Sequence, residues 1–427
     1  MTETAKINQL VDNLFRHEAG KMVAVLTRIF GVENLGLAED VVQDALVEAM
    51  NQWVYKGVPA NPSAWLFTVA KNKALNIVNR DKYKRQYASD VSHYLQSEWT
   101  VAPAIDHLFS DEQIVDDQLR MMFTCCHPAI SADSQVALTL KTLCGFSIPE
   151  IAKAFFTPEE NINKRLVRAR QKIREANIAF EVPQQDALDQ RLDAVLETIY
   201  LLFNEGYSAS TGDAVIRFEL CAEAIRLAEI ITQHNAIQDK SGVNALLALM
   251  LLNASRFKSR TDEQGNILQM QQQNRKLWDA ALMQKGFYYL NLSAQSTDIS
   301  QYHVLAAISA CHCAAPDFAS TDWKSILLLY DRLVQINNSP VVLLNRAVVV
   351  AKVEGAAKAL AELELIENDA TIKNNYLFYS TKAEFFMELG DFANASGSFT
   401  KAIALATLPA EKKLLQSRRA WCEEKIF

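Results

Sequence analysis

Glycine and proline are scarce in this 427-residue chain, at 13 and 10 residues. So few breakers disfavour an architecture of many short strands and turns, and favour long helices. No apolar run reaches the roughly 18 residues that a membrane span requires, which excludes a membrane-spanning segment. The start, Met1-Thr2-Glu3-Thr4-Ala5-Lys6, lacks a basic stretch followed by an apolar core, so no secretory signal is expected. The seven cysteines are odd in number and scattered, the pattern of reduced thiols in a cytoplasmic protein. Enzyme signatures are missing as well: there is no Gly-rich phosphate loop, no His-Glu-x-x-His and no Cys-x-x-Cys. Cys125-Cys126-His127 and Cys311-His312-Cys313 set neighbours too close together to share one tetrahedral ion. Neither a metal nor another cofactor is expected, and the thiols read as small buried hydrophobes.

What is present is the balance of a soluble globular protein, 50% hydrophobic and 22% charged, long enough for two to four domains by the rule of roughly 100–200 residues each. The net charge of −7 excludes a uniformly basic nucleic-acid coat. Its distribution is uneven. Residues 1–180 hold 20 Lys+Arg against 21 Asp+Glu, while 181–427 are clearly acidic, at 23 against 29. Two basic segments stand out from this background. Residues 71–85 carry Lys71, Lys73, Arg80, Lys82, Lys84 and Arg85 against one acid, Asp81; residues 161–174 carry Lys164, Arg165, Arg168, Arg170, Lys172 and Arg174 with none. Phosphate is the commonest partner of such patches, and a solvated helix face is the plain alternative.

Apolar spacing predicts helices almost throughout. A strong one covers Ala38 to Trp53, with Val41, Val42, Ala45, Leu46 and Ala49 inward and an outer side that begins Glu39, Asp40, Gln43, Asp44. After the turn around Pro59 and Pro62, a helix over about 63–85 opens apolar (Trp65, Leu66, Val69, Ala70) and ends basic. Trp65 reads as core in preference to a stacking platform. Residues 86–112 read as a polar, irregular linker. Helices follow over 136–143, 148–156 and 159–177, and from 184 onward apolar stripes recur at helical spacing. Ala347, Gly355 and Ala359 are matched 36 positions later by Ala383, Asp391 and Ala395, near the 34-residue tetratricopeptide period.

Residues 147–177 carry the most specific local signal. Ser147 and Glu150 suit a helix start, a tight turn follows at Thr157-Pro158, and the second helix presents Asn161, Asn163, Lys164, Arg165, Arg168 and Arg170 on its outer face. Two short helices with a basic second member describe a helix-turn-helix, in which Asn can read adenine, Arg guanine, and further cations phosphate. A plain helical hairpin with a charged face has the same pattern. The face of Lys71, Asn72, Lys73, Asn76, Asn79 and Arg80, with Lys82 beyond and Phe67, Tyr83 and Tyr87 nearby, suits an unpaired nucleic-acid strand.

Together these segments resemble regions 2 and 4 of an extracytoplasmic-function (ECF) sigma factor of the sigma-70 family. The matching residues are Ala38-Glu39-Asp40-Val41-Val42-Gln43-Asp44, Pro62 with Trp65-Leu66 and Ala70-Lys71-Asn72, Ile148-Pro149-Glu150-Ile151-Ala152, and Arg165-Leu166-Val167-Arg168-Ala169-Arg170. The remainder resembles the subgroup with a tetratricopeptide-like C-terminal extension, through Asn204-Glu205-Gly206-Tyr207, Thr321-Asp322-Trp323 and Leu344-Asn345-Arg346-Ala347. The resemblance implies an all-α fold with region 2 over 1–87, a linker over 88–112, region 4 over 113–180 and the extension over 181–427. It implies that Asp40, Gln43, Asp44 and Glu48 dock on the clamp helices of the polymerase beta-prime subunit, and that region 4 meets the beta flap. Lys71, Asn72, Lys73, Asn76, Asn79, Arg80 and Lys82 would then meet the −10 element, and Asn161, Asn163, Lys164, Arg165, Arg168 and Arg170 the −35 element. The protein would bind core polymerase and promoter DNA in the cytoplasm and catalyse no reaction. The extension would answer to a regulatory protein or ligand. Glu160-Asn161 stands where many members have Gly-Thr, and Asn76 where Asp is common, so the family does not dictate the promoter sequence. Two other classes use the same elements: a helix-turn-helix regulator that is not a polymerase subunit, and a helical-repeat scaffold.

Overall fold

Helices make up 77% of the structure, and no strand forms among the described residues. The structure is a computed structural model and describes residues 18–81, 105–155, 157–208, 216–296 and 298–426. The chain divides into two units, residues 1–202 with 233–236, and residues 203–232 with 237–427.

In the first unit, α1 (18–30) leads through the 3₁₀ turn Val32–Asn34 into α2 (Leu35–Lys56), and α3 (Pro62–Asp81) packs back on α2. The inner stripe predicted for α2 is buried from Ala38 to Trp53. Leu66, Ala70, Ala74 and Val78 form the matching stripe of α3. Trp65 meets Trp53 edge-to-face with ring centroids 5.4 Å apart, so it is a half-buried part of this packing. The linker expected through residue 112 ends earlier. Residues 105–108 form a helical turn with Ile105 and Leu108 buried, and α4 (Asp111–Cys125) begins with Asp111 and Glu112 in its first turn, where acids favour a helix N-terminus. Apolar residues inside a polar stretch, with Phe109 set edge-on against Phe67 at 6.1 Å, explain the difference. Residues 82–104, with Lys82 and most of the expected linker, lie outside the described residues.

The helix-turn-helix follows as α5 (Ala132–Thr142), α6 (Ile148–Ala154) and α7 (Glu159–Glu175). Ser147 caps α6 in a reciprocal capping box, its Oγ accepting from the Glu150 amide while Glu150 accepts from the Ser147 amide. Ile162, Leu166, Ala169 and Ile173 bury one face of α7 against α5 and α6. The chain does not divide at 180. The start of α8 (Gln185–Tyr207) belongs to the first unit through residue 202. Leu192, Val195, Leu196 and Ile199 are buried, and Thr198 donates to Gln135 at 3.0 Å.

The second unit contains α9 (Phe218–Gln233), α10 (Ser241–Ala254), α11 (Ala280–Ser293), α12 (Gln301–Ala314), α13 (Trp323–Ile336), α14 (Pro340–Glu354), α15 (Ala356–Ile366), α16 (Tyr376–Glu388), α17 (Phe392–Leu405) and α18 (Pro409–Ile426). α10 is buried on nearly every side, as a helix apolar all round must be. The 36-residue repeat is visible as two hairpins, α14–α15 and α16–α17. Ala347, Ala359, Ala383 and Ala395 are all fully buried where the paired helices touch. Gly355 starts α15 with φ at 98°, and Gly390, at 77°, ends the turn after α16; that left-handed region suits glycine.

Candidate polymerase and nucleic-acid interface

The helical period puts Asp40, Gln43 and Asp44 on the exposed side of α2, opposite its buried stripe. Glu48, one turn further on, is half-buried. It accepts from Gln52 at 3.0 Å and pairs with Lys73 of α3 at 3.1 Å. The acidic face of α2 is therefore tied to the basic face of α3.

On α3, Asn72, Asn76 and Asn79 are exposed while Lys71 and Lys73 are half-buried. Lys71 pairs with Asp106 at 2.8 Å. Arg80 lies in the last turn of the helix. These residues share one side of α3 because the other side carries Leu66, Ala70, Ala74 and Val78 inward.

On α7, Asn161, Asn163, Lys164 and Arg168 are exposed, and Arg165 and Arg170 are half-buried. Lys164 is one turn from Glu160 at 2.7 Å, and Arg165 reaches Asp133 of α5 at 3.2 Å. Such surface pairs are worth at most about 1 kcal/mol each, so they pose a small obstacle to phosphate contacts.

Arg170 is different. Its guanidinium donates to Glu39 of α2 at 2.5 Å. The reading of Glu39 as an outward residue is thus corrected: its side chain keeps 12% of its exposure. Glu39 sits between the buried and exposed arcs of α2, where Arg170 of α7 reaches it. Burial raises its carboxyl pKa, opposed by the Arg170 and Lys141 charges.

Two further contacts join the same parts of the unit. Arg28 of α1 reaches Gln113 at 2.5 Å and Asp117 at 3.4 Å on α4. Burial pushes the Asp117 carboxyl up to about 7 despite Arg28 and Arg120 beside it, and its Oδ2 is buried without a hydrogen-bond partner among the described residues. Desolvation outweighs attraction here. Gly20 of α1 lies so close to the Leu143 carbonyl that a Cβ would stand 2.1 Å from its oxygen. Sequence reasoning singled out none of Gly20, Arg28 or Asp117, since each partner is distant along the chain.

Cys125 and Cys126 are buried, Cys125 against the Thr142 hydroxyl at 3.2 Å and Cys126 against Thr139 at 3.8 Å. Burial raises both thiols, Cys126 to about 11, which leaves them unreactive. The described residues contain no cluster of three or more potential metal ligands and no helix long and apolar enough to cross a membrane. In the second unit, the Asn204–Tyr207 segment locks helices together. Glu205 pairs with Arg217, and Arg260 donates to the Tyr207 carbonyl. The same guanidinium lies 3.9 Å from the centre of the Tyr207 ring.

Family models match in the order this geometry suggests. Sigma-70 region 2 covers residues 14–83 and sigma-70 region 4 covers 120–173, while a family of unknown function, DUF6596, covers 191–294. A chain from Rhizobium meliloti (strain 1021), named as the uncharacterized protein R00370, is 35% identical over 393 residues, 91% of this chain and 90% of that one. The ECF RNA polymerase sigma-E factor of Escherichia coli (strain K12) is 28% identical over 140 residues, 32% of this chain and 72% of its own. The sigma-E factor of Salmonella typhimurium (strain LT2) is 27% identical over the same length. No solved structure matches. The chain belongs to the ECF sigma factors of the sigma-70 family, in a form with a long helical C-terminal part. It is accordingly a subunit that binds core RNA polymerase and promoter DNA and directs the enzyme to promoters.

Proposed function

We propose that the exposed acids and amide of α2, Asp40, Gln43 and Asp44, with Glu48 behind them, dock on the clamp helices of the beta-prime subunit, and that region 4 meets the beta flap. Lys71, Asn72, Lys73, Asn76, Asn79, Arg80 and Lys82 receive the −10 element. Asn161, Asn163, Lys164, Arg165, Arg168 and Arg170 receive the −35 element. Region 2 lies within 1–87, region 4 runs from α4 into the start of α8, and the second unit regulates both. The protein acts in the cytoplasm, with the polymerase, and performs no chemistry of its own. The observation that carries this reading is the exposed Asn161–Arg168 face on a second helix set firmly against its capped neighbour.

Melting a promoter costs a few kcal/mol for each base unstacked. Stacking and phosphate contacts along α3 offset that cost. The test is run-off transcription with core polymerase, the full chain and pooled genomic fragments, beside the double substitution Asp40→Lys and Asp44→Lys. A promoter-specific transcript, lost together with core binding in the substituted chain, supports the reading. No transcript on any template overturns it. Unchanged core binding in the substituted chain transfers the docking role away from α2.

A further inference from the structure

The second unit contains a cavity of about 670 Å³, inside the roughly 300–1,000 Å³ range of small-molecule sites. Its walls come from α14, α16 and α18, from the segment 269–271, and from His312, Phe318 and Trp323 at the end of α12 and start of α13. Trp323 is held between His312 and Phe318, edge-on to each, with centroids 5.4 and 5.2 Å away. Tyr330, Phe385 and Trp421 add aromatic surface.

Three properties define what would fit. First, the charged groups of the wall are committed to one another. Lys352 pairs with Glu388 at 2.5 Å, and Arg418 binds Glu384 through its Nε at 2.9 Å. These pairs balance in sign, and each links neighbouring helices. A ligand charge entering here would meet no uncompensated partner and would have to break a bridge. Burial, with the Arg256 and Arg275 charges, also lowers the His312 pKa to about 4, so the imidazole is neutral at physiological pH. Second, neutral polar groups remain. Asn345 on α14 and Ser380 and Thr381 on α16 line the space, and none has a side-chain hydrogen bond among the described residues. Third, a contact spans the groove at one point. Gln269 donates to Glu384 at 3.3 Å, tying the 269–271 segment to α16. An extended peptide crossing α14, α16 and α18 would have to part that contact, whereas a compact molecule would not.

We propose that this cavity is a binding site for an uncharged, planar aromatic or heteroaromatic small molecule. The ligand stacks against Trp323 and its aromatic neighbours and exchanges hydrogen bonds with Asn345, Ser380 and Thr381. The proposal concerns the second unit alone and does not depend on which residues meet the promoter.

The test uses the full-length protein and two fluorescent probes that share a ring system: neutral N-phenyl-1-naphthylamine, and its anionic sulfonated relative 1-anilinonaphthalene-8-sulfonate. The expected result is saturable binding of the neutral probe at one site per chain, with affinity about tenfold above that of the anionic one. Ser380→Phe, which fills the cavity, should reduce neutral-probe affinity by about tenfold or more, and Asn345→Leu, at an exposed position, by a few-fold. Circular dichroism shows whether each variant keeps its helices. Where Ser380→Phe does not fold, Asn345→Leu decides alone. The proposal is overturned by a lack of saturable binding to the folded protein, by unchanged affinity in the folded variants, or by an anionic probe that binds as well as the neutral one.

Discussion

The two units use their ion pairs differently. In the second unit, pairs join helices of one array. Arg346 of α14 bridges Asp331 on α13 at 2.8 Å and Glu362 on α15 at 2.6 Å, and Arg418 ties α18 to α16. In the first unit, two pairs tie α2 to helices assigned to DNA. Glu48 on the acidic face holds Lys73 on the −10 face, and Glu39 holds Arg170 on the −35 helix. A pair of the first kind is permanent scaffolding. A pair of the second kind ties up a group that a macromolecular partner would need, so it has to be exchangeable.

The largest effect that would break this contrast comes from packing. Gly20→Val puts a side chain into the Leu143 carbonyl and should destabilise the first unit by about 3 kcal/mol or more. Denaturant unfolding followed by hydrogen exchange would show the loss confined to the α1–α5 region. Uniform loss over both units would mean that they do not unfold separately.

Next comes pH. The Asp117 carboxyl has a folded-state pKa raised from 3.8 to about 7. The folded state therefore holds a proton that the unfolded chain releases. The stability from this group is fully present below pH about 4 and is lost as pH rises through about 7. First-unit stability should fall by about 2–3 kcal/mol from pH 5 to pH 8.5. Glu39 contributes in the same direction because its pKa is also raised. Asp117→Asn, which does not titrate, should flatten most of the slope in urea titrations at the two pH values. A slope unchanged by the substitution would remove Asp117 as its source.

Arg346→Met should cost the second unit about 1–2 kcal/mol, since two carboxylates lose their partner at a half-buried site. A chemical-denaturation midpoint measures this, and the first unit should not shift. The smallest effect is the most informative about exchange. Glu39→Gln weakens the hold on Arg170 and should tighten binding to a −35 duplex by a factor of about 2–5, while Arg170→Gln should weaken it. Fluorescence anisotropy at constant salt separates the two outcomes.

Most of the fold and much of the candidate site were legible from local pattern. The inner stripe of α2 left Asp40, Gln43 and Asp44 outside, and Ser147 with Glu150 marked the start of α6. The matched alanines marked two helical hairpins. What escaped was set by distant partners. Glu39 lies 131 positions from Arg170, and period alone assigned it to the outer side. By pattern Asp117 is one acid among several on α4; its burial and Arg28, 89 positions away, set it apart. The turn at 105–108 was hidden because its two buried residues, Ile105 and Leu108, sit in an otherwise polar run. The cavity draws its walls from several separate segments, so no one stretch of sequence announces it.

The Glu39–Arg170 pair also has a bearing on counterions. A cation that settles on a DNA phosphate normally releases about 0.9 of a condensed ion, which gives protein–DNA affinity its salt slope. Arg170 would leave a carboxylate as it reached a phosphate, exchanging one anionic partner for another. A free Glu39 would then gather cations of its own from solution. The salt dependence of −35 binding should therefore be shallower than a count of phosphate contacts implies, by at most about one ion, and Glu39→Gln should restore the missing steepness.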